Sequence, residues 1–375
     1  MELLILGGLI LTGFLFEAIW DQSGDGEADE GTSGNDILYG TDGDDDIEGL
    51  DGDDLIFGMR GSDTLHGGNG EDTIQGGWDD DTIIGGADND TVHGSRGNDQ
   101  ISGWGGDDML DGGRGADSIW GNQGDDTIYG RQGNDGLFGN DGEDTISGGW
   151  GSDRIAGGAD NDTLSGDQGI DLLVGGEGDD EMHGGAGADL MVGDEGGLTA
   201  IIETGNDTMF GDGGNDVLIG NTGTDTLNGG ADDDLLIGGG GENLAAHFAG
   251  LAPGYVFDDW IDQEVDTLNG GAGEDDIFMD RSDTATGGDD ADKFFLFEST
   301  AQTGNATITD FDQTEDELII EYKPADYAAA PVVTVVDFGD GTGADIYLDG
   351  VLAAAVTGAQ GLTPAKVTVE AFVDV

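Results

Sequence analysis

From residue 31 onward the chain repeats one pattern of polar and apolar positions every nine residues. Residues 31–192 form 18 consecutive units with no insertion or deletion, GTSGNDILY, GTDGDDDIE, GLDGDDLIF and onward to GGAGADLMV. Position eight is Leu, Ile, Val or Met in every unit, from Leu38 to Met191, between neighbours that are mostly polar. That triplet predicts a short strand with a single inward side chain. The six residues before it are turn-formers. Position one is Gly in all 18 units; position four is Gly in fifteen and Asp in three, Asp79, Asp88 and Asp160. Gly at positions one and four is expected to supply φ > 0, which Asp also tolerates. Two nonapeptides per closed coil predict about nine coils, stacked as parallel strands at roughly 4.8 Å over about 43 Å.

Beyond residue 192 the register continues with interruptions. A nine-residue insert at 196–204 and a longer one at 241–263 each split a unit after its third residue. That is a surface turn, where added chain costs least. A degenerate eight-residue stretch at 279–286 precedes the last unit, GGDDADKFF. Residues 296–375 change character, with alternating runs such as ATITDF, ELIIEY and DIYL separated by turn clusters. They predict a small antiparallel β unit covering the last coil, as a stack of like units needs a distinct end piece. The expected organisation is a hydrophobic segment (1–20), an acidic linker (21–30), the nonapeptide array (31–295) and the cap (296–375). The fold class is all-β.

Charge decides what else such an array needs. Asp and Glu number 83 against nine Lys and Arg, a formal charge of −74. Nucleic acid and anionic lipid surfaces are excluded as partners, since both require a basic footprint. With no Cys, thiolate catalysis and Cys-ligated metals are excluded too. Position six is the chemical centre of the repeat, because it is Asp in all 18 units. These residues are Asp36, Asp45, Asp54, Asp63, Asp72, Asp81, Asp90, Asp99, Asp108, Asp117, Asp126, Asp135, Asp144, Asp153, Asp162, Asp171, Asp180 and Asp189. Asp207, Asp216, Asp225, Asp234, Asp266, Asp275 and Asp292 continue the position after the inserts begin. Carboxylates stacked at strand spacing repel unless a cation lies among them. Residues 31–192 hold 38 acidic and five basic side chains, a net −33. One calcium per interior turn, about 16 to 18 ions, nearly cancels that charge. Carboxylate and carbonyl donors without thiols favour calcium over softer metals, and its flexible six- to eight-fold coordination favours it over magnesium. His66, His93 and His183 fall at position nine and His247 in the second insert. They are too dispersed to build a transition-metal site.

These residues resemble a known family. GGxGxDxUx, with U aliphatic, is the calcium-binding repeat of RTX (hemolysin-type) proteins, and residues 31–295 are similar to it throughout. The resemblance implies a parallel β-roll in which each calcium is shared by position-six Asp residues 18 apart. Asp36, Asp54, Asp72 and their successors then form one row, and Asp45, Asp63, Asp81 and theirs the other. It also implies export by a type I secretion system, with folding outside the cell where calcium is abundant. The tail from Ala371 to Val375 resembles the ends of such substrates. The stretch Ile308-Thr309-Asp310-Phe311, followed by Glu317-Leu318-Ile319-Ile320, is similar to the sheet that closes such rolls. The HExxH and GxSxG motifs of catalytic members are absent, and only about 30 residues precede the array, so no catalytic function is expected.

The uncharged residues 3–16 are shorter than the roughly 20 a membrane helix needs, and no basic residue precedes them. A membrane-associated anchor, a helix capping the first coil and a cleaved signal all remain open. Trp78 and Trp150 share position three, 72 residues and so four coils apart, and could mark a binding face. Position seven is Thr in only seven of the 18 units, too few for the unbroken outward rank of an ice-binding surface. The expected protein is a calcium-dependent structural or interaction protein at or outside a bacterial surface, with a glycan or protein surface as its partner. A glycan-binding accessory module is the alternative.

Overall fold

The computed structural model describes residues 17–20, 29–194, 205–239, 265–298, 304–322, 331–337, 342–358, 362 and 367–371. All regular elements among them are strands. Successive strands alternate between two facing parallel sheets. Leu55–Arg60, Thr73–Trp78 and Thr91–Arg96 belong to the first, and Thr64–Asn69, Thr82–Ala87 and Gln100–Gly105 to the second. Leu55 pairs with Thr73 and Thr64 with Thr82, so each coil is two nonapeptides. The expected parallel β-roll is the fold.

The strands are longer than the apolar triplet predicts. Most run six residues, from position seven through position three of the next unit, as in Thr64–Asn69, and only positions four to six turn. Along each strand positions eight and one face inward. Ile56, Leu65, Ile74 and Ile101 are fully buried, and their successors form one continuous apolar column through the roll. Position one is Gly for a reason other than backbone freedom. A Cβ on Gly67 would lie 2.2 Å from Asp72 Oδ2 and 2.5 Å from the Gly85 carbonyl oxygen. The left-handed backbone falls instead at positions two and four, for example Gly68 (φ 119°) and Gly70 (φ 118°). Position two keeps that conformation even as Leu50, Met59, Trp104 or Arg131, at roughly 1–2 kcal/mol each.

Both inserts leave the ladder intact. Glu181 pairs with Thr208 across the first, and Thr226 with Thr267 across the second. The degenerate unit is absorbed by a shorter coil, with Thr267 opposite Thr284. Parallel pairing runs on past residue 295. Lys293–Glu298 pairs with Glu317–Tyr322, which pairs with Val367–Ala371. An antiparallel meander of Val333–Asp337, Gly343–Leu348 and Val351–Thr357 closes the first sheet against Ala306–Ile308. Here the core thickens, with Phe294, Phe297, Phe311, Ile320 and Ile346 buried.

At the other end, Glu17–Trp20 stacks in parallel on Asp36–Tyr39, and Asp29 and Glu30 pair with Ile47 and Glu48. The stretch read as a linker thus contributes strand residues, and the first repeat has a strand before it. The anchor, helix and signal alternatives for residues 3–16 fall outside the described residues. No helix among the described residues is long and apolar enough to cross a membrane.

Folding two units per coil also sorts side chains between the sheets. Thr at position seven collects on the first, as Thr73, Thr91, Thr127, Thr145, Thr163, Thr208, Thr226, Thr267 and Thr284, a rank broken at Met109 and Glu181.

Candidate functional site

The position-six aspartates close each turn and project inward. All those in residues 36–189 are at most 3% exposed except Asp45, which is half-buried. Each is bonded to the coil before it. The backbone N–H of Asp36 donates to Asp54 Oδ1 at 2.8 Å, that of Asp54 to Asp72 Oδ1 at 2.7 Å and that of Asp72 to Asp90 Oδ1 at 2.8 Å. The other edge repeats this from Asp45 to Asp63 and from Asp63 to Asp81, both at 2.9 Å. Two continuous columns result, in the membership the sequence implies. They bridge the inserts, from Asp180 to Asp207 at 3.0 Å and from Asp225 to Asp266 at 2.8 Å.

One oxygen of each carboxylate is used in this ladder and the second is not. Oδ2 of every position-six Asp from Asp54 to Asp216 is buried with no hydrogen-bond partner. A second acceptor borders the same small space. The space beside Gly49 that a Cβ would fill has Asp54 Oδ2 at 2.3 Å and the Gly67 carbonyl oxygen at 2.4 Å, and beside Gly58 Asp63 Oδ2 at 2.4 Å and the Gly76 carbonyl at 2.7 Å. A buried carboxylate oxygen without a donor, with a carbonyl oxygen bordering the same space, costs free energy. Burial raises the carboxyls accordingly, with smaller contributions from neighbouring aspartates and an opposing one from the backbone N–H. Asp54 rises to about 6, Asp72 to about 7 and Asp90 to about 8. A cation removes the conflict, whereas Asn would place its N–H₂ there and need none. Asn stands at position six in none of the 18 units.

The donor set is carboxylate and carbonyl oxygen. Among the described residues no three His, Asp or Glu side chains converge on one point, so backbone carbonyls must supply much of any coordination shell. That suits a hard cation with flexible geometry and many oxygen ligands, as calcium is. The family model for the RTX calcium-binding nonapeptide repeat matches residues 30–65, 57–92, 84–119, 105–137, 137–164, 165–197, 203–227, 210–245 and 264–278, together more than half of the chain. The chain belongs to the RTX calcium-binding repeat family. Its repeats are calcium-binding motifs, and it takes up multiple Ca2+ ions. No curated protein matches the chain.

The roll adds residues to the columns that periodicity alone did not single out. Asp283 accepts the N–H of Asp266 at 3.1 Å, and Asp316 that of Asp292 at 3.1 Å. Asp283 lies in the degenerate unit and Asp316 beyond the array, so only the pairing reveals them. A second ladder runs outside the first. Position five is often Asp or Asn because its side-chain oxygen accepts the position-five N–H one coil later, as Asn98 does from Ala116 at 2.8 Å and Asp107 from Asp125 at 3.1 Å. The ends differ from the interior. Asp36 Oδ2 accepts the Thr32 N–H at 2.6 Å, and Asp45 Oδ2 that of Thr41 at 2.6 Å. His93 and His183 are side chains of the first sheet; His183 stacks on Phe210 at 4.7 Å between Glu181 and Asp212. His247 lies outside the described residues.

Proposed function

We propose that the aspartates of both columns hold calcium, each ion between consecutive coils of one edge, and that calcium uptake is the folding step. The observation that carries this reading is the buried, donor-less Oδ2 beside the position-one glycine, with a carbonyl oxygen bordering the same space at most turns. Bound calcium supplies the positive charge and the open coordination that these acceptors lack. The chain contributes the rest: the Asp N–H and Oδ1 fix the carboxylate, and the position-one Gly leaves the space beside it open. Before calcium binds, the stacked carboxylates oppose closure of the coils. The chain therefore stays expanded where calcium is scarce and closes at the roughly 10⁻⁴–10⁻³ M typical of extracellular modules. This fits export in an unfolded state and a place outside the cell or on its surface, where the roll serves as a structural or adhesive element and not as a catalyst.

Calcium titration followed by far-UV circular dichroism tests the reading. Chelated protein is expected to lack the β signal, calcium to restore it cooperatively and magnesium at the same concentration to fail. A complete β signal in excess chelator would rule the reading out.

A further inference from the structure

The two-unit coil creates two turn edges, and they differ in charge. On the edge entered from the second sheet, positions three to five of five successive turns (105–107, 123–125, 141–143, 159–161 and 177–179) carry seven acids. On the edge entered from the first sheet, the six turns at 96–98, 114–116, 132–134, 150–152, 168–170 and 186–188 carry none. In a chain of formal charge −74, that is a long acid-free strip. Its position-three column reads Arg96, Arg114, Gln132, Trp150, Gln168, Ala186, one residue per coil.

The two tryptophans of this column are held differently. Trp78 is clamped, with the Arg60 guanidinium 5.1 Å and the Arg96 guanidinium 4.3 Å from its ring centroid. Both are cation–π contacts, so its faces are taken. Trp150, four coils on, has amide neighbours, Gln132 and Gln168, and is 64% exposed. It stands as a ridge between two open troughs. One, of about 630 Å³, runs along the edge over Gly115 and Ala116, between Asn98, Gln132, Asn134 and Trp150, and contains no ionisable side chain. The other, of about 710 Å³, lies on the first sheet beside Ser147, Ser165 and Gln168, with Arg131, Asp167, His183 and Asp212 also lining it; there Asp167 is engaged by Ser147 and Ser165, and Asp212 by His183. The side-chain amides of Gln132 and Gln168 have no hydrogen-bond partner among the described residues, and Asn134 uses only Oδ1, for the Ser152 N–H at 3.0 Å.

We infer that this strip is a binding site for an uncharged polysaccharide, centred on Trp150. A pyranose ring presents C–H groups on its face and hydroxyls around its rim. The exposed indole matches the face and the uncommitted amides match the rim. Around Trp150, from 132 to 134, 150 to 152 and 168 to 170, the strip carries no charged side chain, so an uncharged chain lying there desolvates no carboxylate of the edge, while the field of the whole protein repels polyanions. The repeat of the roll suits an extended polymer lying along its axis. The inference deepens the proposed extracellular role and requires the calcium-folded roll.

Affinity electrophoresis of the calcium-loaded full chain tests it, in gels containing hydroxyethyl cellulose, galactomannan or dextran as uncharged polymers and polygalacturonate as the charged one. Circular dichroism of each sample at the same calcium concentration shows whether the roll is folded, which separates failure of the site from failure of the fold. At least one uncharged polymer is expected to retard the protein, with Trp150→Ala weakening retention at least tenfold and Trp78→Ala leaving it within about twofold. No retention of a folded protein by any uncharged polymer overturns the inference. So does retention unchanged in Trp150→Ala, or binding confined to polygalacturonate.

Discussion

The nonapeptide stack and the C-terminal cap solve the same problem with different materials. In the stack each unit offers one inward aliphatic, such as Ile101 or Leu110, and each interior unit one buried carboxylate whose second oxygen lacks a donor. In the cap, the side chains of Phe297, Phe311, Ile308 and Ile320 pack in place of charge, with Phe294 of the last unit beneath them. A large aromatic contributes burial that a single aliphatic per unit does not. The contrast teaches that the stack is held by what it binds and the cap by what it buries. Dependence on calcium should therefore change along the chain.

The largest expected effect is regional. In excess chelator, hydrogen exchange should show residues 31–192 unprotected while strands such as Glu317–Tyr322 and Gly343–Leu348 exchange more slowly. Equal protection of the two regions would erase the distinction. Acid should come next, because protons satisfy the same oxygens. In the folded chain without calcium the column carboxyls stand above their ordinary value, at about 6 for Asp108 and about 8 for Asp162. The folded state thus binds protons more tightly than the unfolded one, whose carboxyls titrate near 4. Stability from this source is complete below about pH 4 and is lost as the pH rises through 6 to 8. Chelated protein at about pH 4 is expected to show more β signal than at pH 8; the opposite order would mean that the carboxylates are not what opposes folding.

Within the cap, Phe311→Ala should cost about 3–5 kcal/mol in calcium-loaded protein and leave calcium stoichiometry unchanged, as read by denaturant unfolding and equilibrium dialysis. Asp108→Asn divides the two roles of position six. Asn keeps an oxygen for the N–H of Asp90 but removes the charge, so the bound calcium count should fall while the coil still forms at saturating calcium. The matching Asp36→Asn should change calcium binding less, since Asp36 Oδ2 already has donors in the Thr32 N–H and hydroxyl. Equal calcium midpoints for the two variants would argue against a difference between end and interior. The smallest effect belongs to backbone strain. Leu50→Gly relieves a left-handed residue (φ 83°) and should stabilise the roll by about 1 kcal/mol in thermal unfolding.

Much of this was legible in the sequence because the repeat is local. Nine-residue spacing with fixed Gly, Asp and aliphatic positions needs no long-range information to announce turns, a short strand and a cation. Those features determined stacked parallel strands with two units to a coil and calcium as the ligand; the resemblance to RTX repeats implied the roll's two aspartate rows. Other readings needed correction. Position one looked like a backbone hinge, yet its Gly is required by space beside Asp72 Oδ2 and its equivalents, a contact that exists only when coils stack. Asp283 and Asp316 were hidden because irregular spacing masks a register that strand pairing restores. The strand at Glu17–Trp20 was not readable either, since it carries no repeat motif and is specified by the coil it lies on. The sorting of most position-seven threonines onto one sheet, and of the acids of turns 105–179 onto one edge, is tertiary as well. A unit's side depends on whether its number in the series is odd or even, and only a coil of two units turns that count into a face.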